Sequence, residues 1–169
     1  MPCPYQGYYL LNRHDFGGHP CVELRQVSKT FRDEGGVTWA LDKVSFSAQS
    51  GEFVTLIGPS GCGKSTIFNI ITGLVAPDEG KVLLDGQPVA GRTGLVGYMP
   101  QRDLLLPWRN VLDNVIVGPE LAGVPKEQAR RRARALLPLF GLEGFERAYP
   151  ATLSGGMRPR AALLRTVLC

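Results

Sequence analysis

The segment Gly58-Pro59-Ser60-Gly61-Cys62-Gly63-Lys64-Ser65-Thr66 constrains the fold more than any other in the chain. It fits G-x-x-x-x-G-K-[ST] throughout, a loop that works between the end of a strand and the start of a helix. Upstream, Glu52 to Gly58 is a continuous apolar run ending in Gly-Pro, the pattern of a buried strand. Downstream, helix-compatible sequence runs from Lys64 to Leu74, and Ala76-Pro77-Asp78 breaks it. The residue types follow from the chemistry of a polyphosphate. Backbone N–H groups must approach phosphate oxygens closely, and a Cβ at the glycines would obstruct them. A helix starting at Lys64 turns its positive end toward the anion. Lys64 reaches the outer phosphates as a point charge, and the Ser65 hydroxyl is the kind of oxygen ligand that Mg²⁺ prefers. Cys62 reads as a small residue that fits the loop, since no base accompanies it as it would a nucleophile. A nucleoside triphosphate, ATP above all, is the expected ligand.

The rest of the chain is patterned consistently with such a core. With 169 residues, 44% apolar and 20% charged, it holds enough for one folded domain. Residues 1–20, rich in Pro, Gly and Tyr and without a period, read as a loose N-terminal arm. They contain His14 and His19, weak grounds for a metal site. From Cys21, CVELRQV alternates like a strand, and FRDEGGVTWALDKVSFSA predicts a hairpin around Gly35-Gly36. KVLLDGQPV carries the turn Asp85-Gly86 between two short strands, and Leu95 to Pro100 is a further short strand. The second part is helical. Asn110 caps a helix through about Leu121, and Pro125 is the first residue of another. In that helix Ala129, Ala133, Leu136, Leu137 and Phe140 share a face, with Pro138 kinking its end and Gly141 stopping it. A last helix begins near Ser154, as N-cap, and runs to the chain end.

Charge and cysteine bound the partners. The formal charge of +4 owes much to Arg130, Arg131, Arg132, Arg134, Arg158, Arg160 and Arg165. These suit an acidic partner or form a solvated helix face. The four cysteines form no CxxC pair, so reduced thiols are expected. No signal pattern opens the chain and no apolar run could span a bilayer. Work at a membrane would be peripheral.

Two later segments narrow the reading. Leu153-Ser154-Gly155-Gly156-Met157 places a capping serine and two glycines at a helix start, which is either a second anion-binding end or a plain capped helix. Gln101 ends a strand and opens a loop, Arg102-Asp103-Leu104-Leu105-Leu106-Pro107-Trp108-Arg109, whose apolar run is either a partner surface or is buried under the helical block.

Together, GPSGCGKST, Gln101 and LSGGM resemble the phosphate loop, Q-loop and signature of the ATP-binding subunits of ABC transporters, in that family's order, over roughly Cys21 to the chain end. DLLLPWRNVLDNV with LSGGMRPRAALLRT looks most like the nitrate/sulfonate/taurine importer branch. The resemblance implies an α/β fold, a P-loop NTPase core with an antiparallel β subdomain and a helical subdomain of about residues 108–160, the C-terminal part of the core missing. It also implies a homodimer, or a pair of ATP-binding subunits, sandwiching two ATP molecules with Mg²⁺. Gly58, Pro59, Ser60, Gly61, Cys62, Gly63, Lys64, Ser65 and Thr66 would hold one side of an ATP. Ser154, Gly155 and Gly156 would hold the γ-phosphate of the partner's. Phe31 falls where the family stacks an aromatic on adenine, or else is a core strand residue. Lys64 and Gln101 would be catalytic, and Ser65 and Gln101 would hold the metal. A transmembrane permease would contact Gln101 to Arg109 on the cytoplasmic face of the membrane. A solute-binding protein would act indirectly, and no nucleic-acid partner is expected.

The sequence departs from the family in two places. The family continues past the signature helix with a strand ending in Asp and Glu, then a switch histidine, and none of the three is found here. These residues alone are expected to bind ATP weakly and barely hydrolyse it, to leave a sheet edge unpaired, and to represent a truncated gene or gene fragment. Pro159 stands just past the first turn of the signature helix, where the family has Gln, and bears on the pose of Ser154. The competing readings are a non-hydrolysing ATP-binding or regulatory module and an ABC-type protein acting on nucleic acid.

Overall fold

The computed structural model describes residues 20–89 and 91–168. The expected N-terminal arm, with His14 and His19, lies outside them apart from residue 20. The chain divides into two units between Val96 and Gly97.

The first unit is built on a hairpin. β1 (Val22–Asp33) pairs antiparallel with β2 (Gly36–Ala48), and Asp33 faces Gly36 across the turn. The Asp33 carboxylate accepts the Gly35 N–H at 2.9 Å, so the predicted turn is made by a side-chain bond as well as by glycine. Helix α1 (Lys64–Ile71) follows the phosphate loop. It ends three residues before the expected Leu74, because Gly73 adopts positive φ and its N–H turns back to Ile70 O. β3 (Glu79–Leu84) and the short β4 (Gln87–Pro88) are joined by Asp85-Gly86, both at positive φ, as that dipeptide predicts. Among the described residues the sheet order is β2-β1-β3-β4, antiparallel throughout. Leu24, Val27, Leu41 and Val82 of the sheet and Ile67 and Ile70 of α1 form this unit's core.

Two expected strands are not seen as strands. Residues 52–58 and 95–100 pair with no strand among the described residues, and Phe53 is 84% exposed. A strand is buried by its neighbours, which accept its backbone hydrogen bonds and cover its faces. Apolar run length reports the tendency alone.

Asp78, just before β3, ties that strand to β1. Its carboxylate accepts from Lys29 Nζ at 2.7 Å, Thr30 N at 2.6 Å and Thr30 Oγ1 at 2.8 Å. The Lys29 hydrogen bond, then those from Thr30, lower its pKa from 3.8 to about 2. The folded state therefore favours the charged form. The stabilisation is fully present above the unfolded value and is lost as pH falls through the folded one. In urea melts, the native chain is expected to outlast Asp78→Asn at pH 6, and the difference to vanish as pH approaches 2. A pH-independent difference would refute the anchor.

The second unit is helical. Its helices are α2 (Val111–Val115), α3 (Val117–Leu121), α4 (Lys126–Leu136) and α5 (Met157–Val167). Asn110 caps α2 as expected, its Oδ1 accepting Asp113 N at 2.8 Å. The single helix foreseen through Leu121 is interrupted at Ile116. Pro119 has no N–H to give the Val115 carbonyl. Pro125 caps α4 rather than being its first residue, and Pro138 lies beyond the helix end at Leu136 rather than kinking it. The predicted apolar face holds: Ala129, Ala133 and Leu137 are buried, and Leu136 and Phe140 pack against the same core. Arg131, Arg132 and Arg134 face solvent.

Candidate functional site

The phosphate loop leads into α1 through Gly63, the helix N-cap, at φ 93°. The first helical bond runs from Ile67 N to Gly63 O at 3.0 Å. The N–H groups of Lys64, Ser65 and Thr66 therefore have no acceptor within the helix. Two glycines are sterically required here. At Gly63 a Cβ would collide with the Ala40 carbonyl oxygen and approach Leu41 Cδ2 to 2.9 Å, and at Gly58 it would meet Cys62 Sγ at 2.7 Å. Cys62 is buried inside the loop. Its N–H turns back to Pro59 O at 3.4 Å, consistent with a packing role. Lys64 Nζ donates to Gly58 O at 2.7 Å, Pro59 O at 2.6 Å and Cys62 Sγ at 3.3 Å. The ammonium thus lies over the loop as the donor, with three of the loop's own acceptors converging on it. Pro59, Ser60, Gly61 and Ser65 are exposed. Helix-start N–H groups without helical acceptors beside one cation make a charge pattern that suits a polyanion.

Phe31 is 44% exposed on β1, so it is not a core residue, and Lys29 Nζ stands 5.6 Å from its ring centroid. An exposed ring of this kind can receive a flat base.

In the second unit, Gln101 is exposed and shares an open cleft of about 480 Å³ with Arg102, Leu104, Gly155 and Pro159. The structure thus brings Gln101 and Gly155 to one cleft of this unit. The expected capping by Ser154 is not found. The helix starts at Met157 with Gly156 as N-cap and no side-chain cap bond. It is the Ser154 carbonyl that accepts, from Met157 N at 3.1 Å and Arg158 N at 3.3 Å. The two glycines between Ser154 and Met157 add a turn, which moves the helix start on. Pro159 consequently falls inside the first turn, where its missing N–H has no intrahelical partner to lose. Ser154, Gly155 and Gly156 are exposed, and added Cβ atoms at the two glycines would meet nothing within 4 Å. The segment is open to a ligand in a way a packed helix start is not.

The apolar loop is divided. Leu105 is 9% exposed and joins the core, whereas Leu104 is 58% and Trp108 72% exposed. Burial and partner surface each hold for part of the run. Sequence reading missed what fixes this loop. Asn114, fully buried, accepts Leu106 N at 2.7 Å and donates to the carbonyls of Leu106, Arg109 and Asn110 at 3.1, 2.8 and 3.0 Å. A polar amide at a core position of VLDNV, four residues after the capping Asn110, was the available signal. Arg109 bonds the Glu120 carboxylate, holding its pKa below the ordinary value. Burial opposes the charged form of Asp113, but the Arg130 hydrogen bond and the charges of Arg130, Lys126 and Arg109 outweigh it and keep its pKa low.

No group of three or more His, Cys, Asp or Glu among the described residues could hold a metal ion. Ser65 Oγ, exposed in the first turn of α1, is a hard oxygen donor of the kind Mg²⁺ prefers.

The model of the ABC transporter family matches residues 41–169. The chain is 46% identical over 146 residues to an uncharacterized ABC transporter ATP-binding protein, MJ0412, of Methanocaldococcus jannaschii, covering 86% of this chain and 55% of that protein. It is 42% identical over 144 residues to the taurine import ATP-binding protein TauB of Escherichia coli K12, covering 85% and 56%. It spans about half the length of the curated relatives it matches. Among solved structures it resembles the dimeric bacterial ABC transporter cassette MJ0796, with a TM-score of 0.78, 32% identity and coverage of 87% of this chain and 69% of that one. It also resembles the post-hydrolysis dimer of that cassette with ADP and Pi, at a TM-score of 0.76.

Proposed function

The chain belongs to the ABC transporter family, and from that premise we propose that it is the nucleotide-holding part of an ATP-binding subunit that powers an importer of a small solute such as taurine, nitrate or a sulfonate. The observation that carries this reading is the loop from Gly58 to Thr66. There the N–H groups at the start of α1 lie without helical acceptors beside the Lys64 ammonium, in a loop whose packing side chains at Gly58 and Gly63 would disturb. Lys64 and the loop amides hold the β- and γ-phosphates, and Phe31 covers the base. Ser65 and Gln101 supply oxygen ligands to Mg²⁺, which neutralises phosphate charge when bound with the nucleotide. Ser154, Gly155 and Gly156 offer the second anion site, toward the nucleotide of a paired subunit.

The ADP-bound dimeric relative and the taurine-import relatives support pairing and an importer. The exposed Leu104 and Trp108 support a permease contact along Gln101 to Arg109. Among the described residues no helix is long and apolar enough to cross a membrane. A peripheral place on the cytoplasmic face of the membrane belongs to the same proposal.

Sedimentation with Mg-ATP tests the reading. A dimer that forms with Mg-ATP and disperses with EDTA is the expected result, and a monomer at saturating nucleotide would overturn it. A phosphate-release assay on the same sample separates a hydrolysing dimer from a non-hydrolysing module.

A further inference from the structure

The loop from Asp103 to Arg109 has no regular secondary structure, yet its backbone carbonyls are held from two helices. From α5, Arg165 Nη1 donates to Leu104 O at 2.8 Å and Nη2 to Asp103 O at 2.7 Å. From α2, the buried Asn114 amide holds both polar groups of Leu106 and the Arg109 carbonyl. Within the Arg165 grip Leu104 takes φ 46°, a conformation that costs a residue with a bulky side chain and persists only when its surroundings impose it. Leu105 anchors the centre in the core, while Leu104 and Trp108 stay in solvent.

α5 is the helix that begins at the signature glycines. It is one uninterrupted element of 11 residues, roughly 16 Å long, with the open anion-binding end at Gly156 and Arg165 in its last turn. A helix transmits displacement along its axis as a rod. Whatever moves its first turn moves Arg165, and the planar guanidinium, bonded to two successive carbonyls, leaves the loop little freedom to lag.

We propose that Arg165 and Asn114 are positioning residues. Arg165 fastens the loop bearing Leu104 and Trp108 to the far end of the signature helix, Asn114 fastens it to α2, and nucleotide capture at Ser154 to Gly156 is thereby delivered to the permease-facing side chains. This rests on the reading of the signature segment as an anion site, but the mechanical part stands without it. Arg165→Lys keeps the charge and loses the fork, since an ammonium cannot hold two carbonyls in one plane.

Trp108 is the natural reporter, because the other tryptophan, Trp39, lies in the first unit and can be removed as Trp39→Phe. In the Trp39→Phe chain without nucleotide, Arg165→Ala is expected to increase the fast-rotating fraction of the Trp108 anisotropy decay by about twofold, nanosecond motion being what that decay reports. Arg165→Lys should fall between the two. Circular dichroism should stay unchanged, because the loop that Arg165 holds has no regular secondary structure. An unchanged decay in both variants would overturn the clamp, whatever nucleotide does. With Mg-ATP, the parent should show a Trp108 response that Arg165→Lys loses while its ATP affinity stays within about twofold. A full response in Arg165→Lys would overturn the coupling. Absence of ATP binding in the parent itself would instead remove the functional reading and leave the mechanical clamp to the anisotropy result. Asn114→Ala adds a second lesion on the other grip. If it unfolds the helical unit, the Arg165 pair still decides the proposal.

Discussion

Lys64→Ala is expected to weaken Mg-ATP binding by one to two orders of magnitude. The ammonium is a donor positioned over the loop, and a hydrogen bond to a charged group contributes about 1.5–3 kcal/mol, which is that range of affinity. The structure adds a second consequence. Nζ bonds the carbonyls of Gly58 and Pro59, so the cation also orders the loop in the absence of ligand. Removing it loosens the cradle as well as deleting the charge, and the loss should sit toward the upper end of the range. Lys64→Arg, which keeps the charge but places it differently, should recover only part of the affinity. Titration calorimetry checks both. An affinity within twofold of the parent for Lys64→Ala would remove the loop from the nucleotide site.

The second large effect is expected at Gly63, through stability. Its φ of 93° strains any side-chain-bearing residue by about 1–2 kcal/mol. Its Cβ would also drive into the Ala40 carbonyl and Leu41 Cδ2, and overpacking of that kind adds about 1–3 kcal/mol. The neighbours are backbone and a core leucine that is 2% exposed, neither of which can swing away. Gly63→Ala should therefore lower the melting temperature by about 10 °C or more. Gly61→Ala is the matched control. It shares a positive φ of 80° but meets nothing within 4 Å, so only the conformational strain applies and the shift should be less than half as large. Equal shifts in calorimetric scans would show that backbone conformation, and not the packing of the loop onto β2, sets the requirement.

How much could be read without coordinates follows from how local the determining forces are. The hairpin at Asp33 to Gly36, the Asp85-Gly86 turn, the Asn110 cap and the buried Ala129 and Ala133 face are set by residues a few positions apart, and all were legible. The fold class was legible through the phosphate loop and its neighbours. Two short strands were misread, because a strand exists only with a partner. The helix through Leu121 was overrun because the apolar period continues across Pro119 while the hydrogen-bond ladder does not. At the site, Gly58 to Thr66, Gln101 and Ser154 to Gly156 were identified as candidates, whereas Asn114 and Arg165 were not. Arg165 meets carbonyls some sixty positions away, a distance over which spacing carries no signal.

The amino-acid sequence by itself determined the chemistry on offer: a glycine-lined loop with one lysine and a hydroxyl, a second glycine-rich helix start, and a polar residue opening an apolar loop. These depend on side-chain type and short spacing, which a chain displays without folding. Only the tertiary structure decided what the chemistry faces. It exposed Phe31, Leu104 and Trp108 while burying Leu105, it moved the start of α5 from Ser154 to Met157, and it placed Asn114 and Arg165 on opposite grips of one loop. Exposure and long-range bonds are properties of packing, fixed when each unit buries its own core, and no local pattern encodes which of three consecutive leucines is left in water.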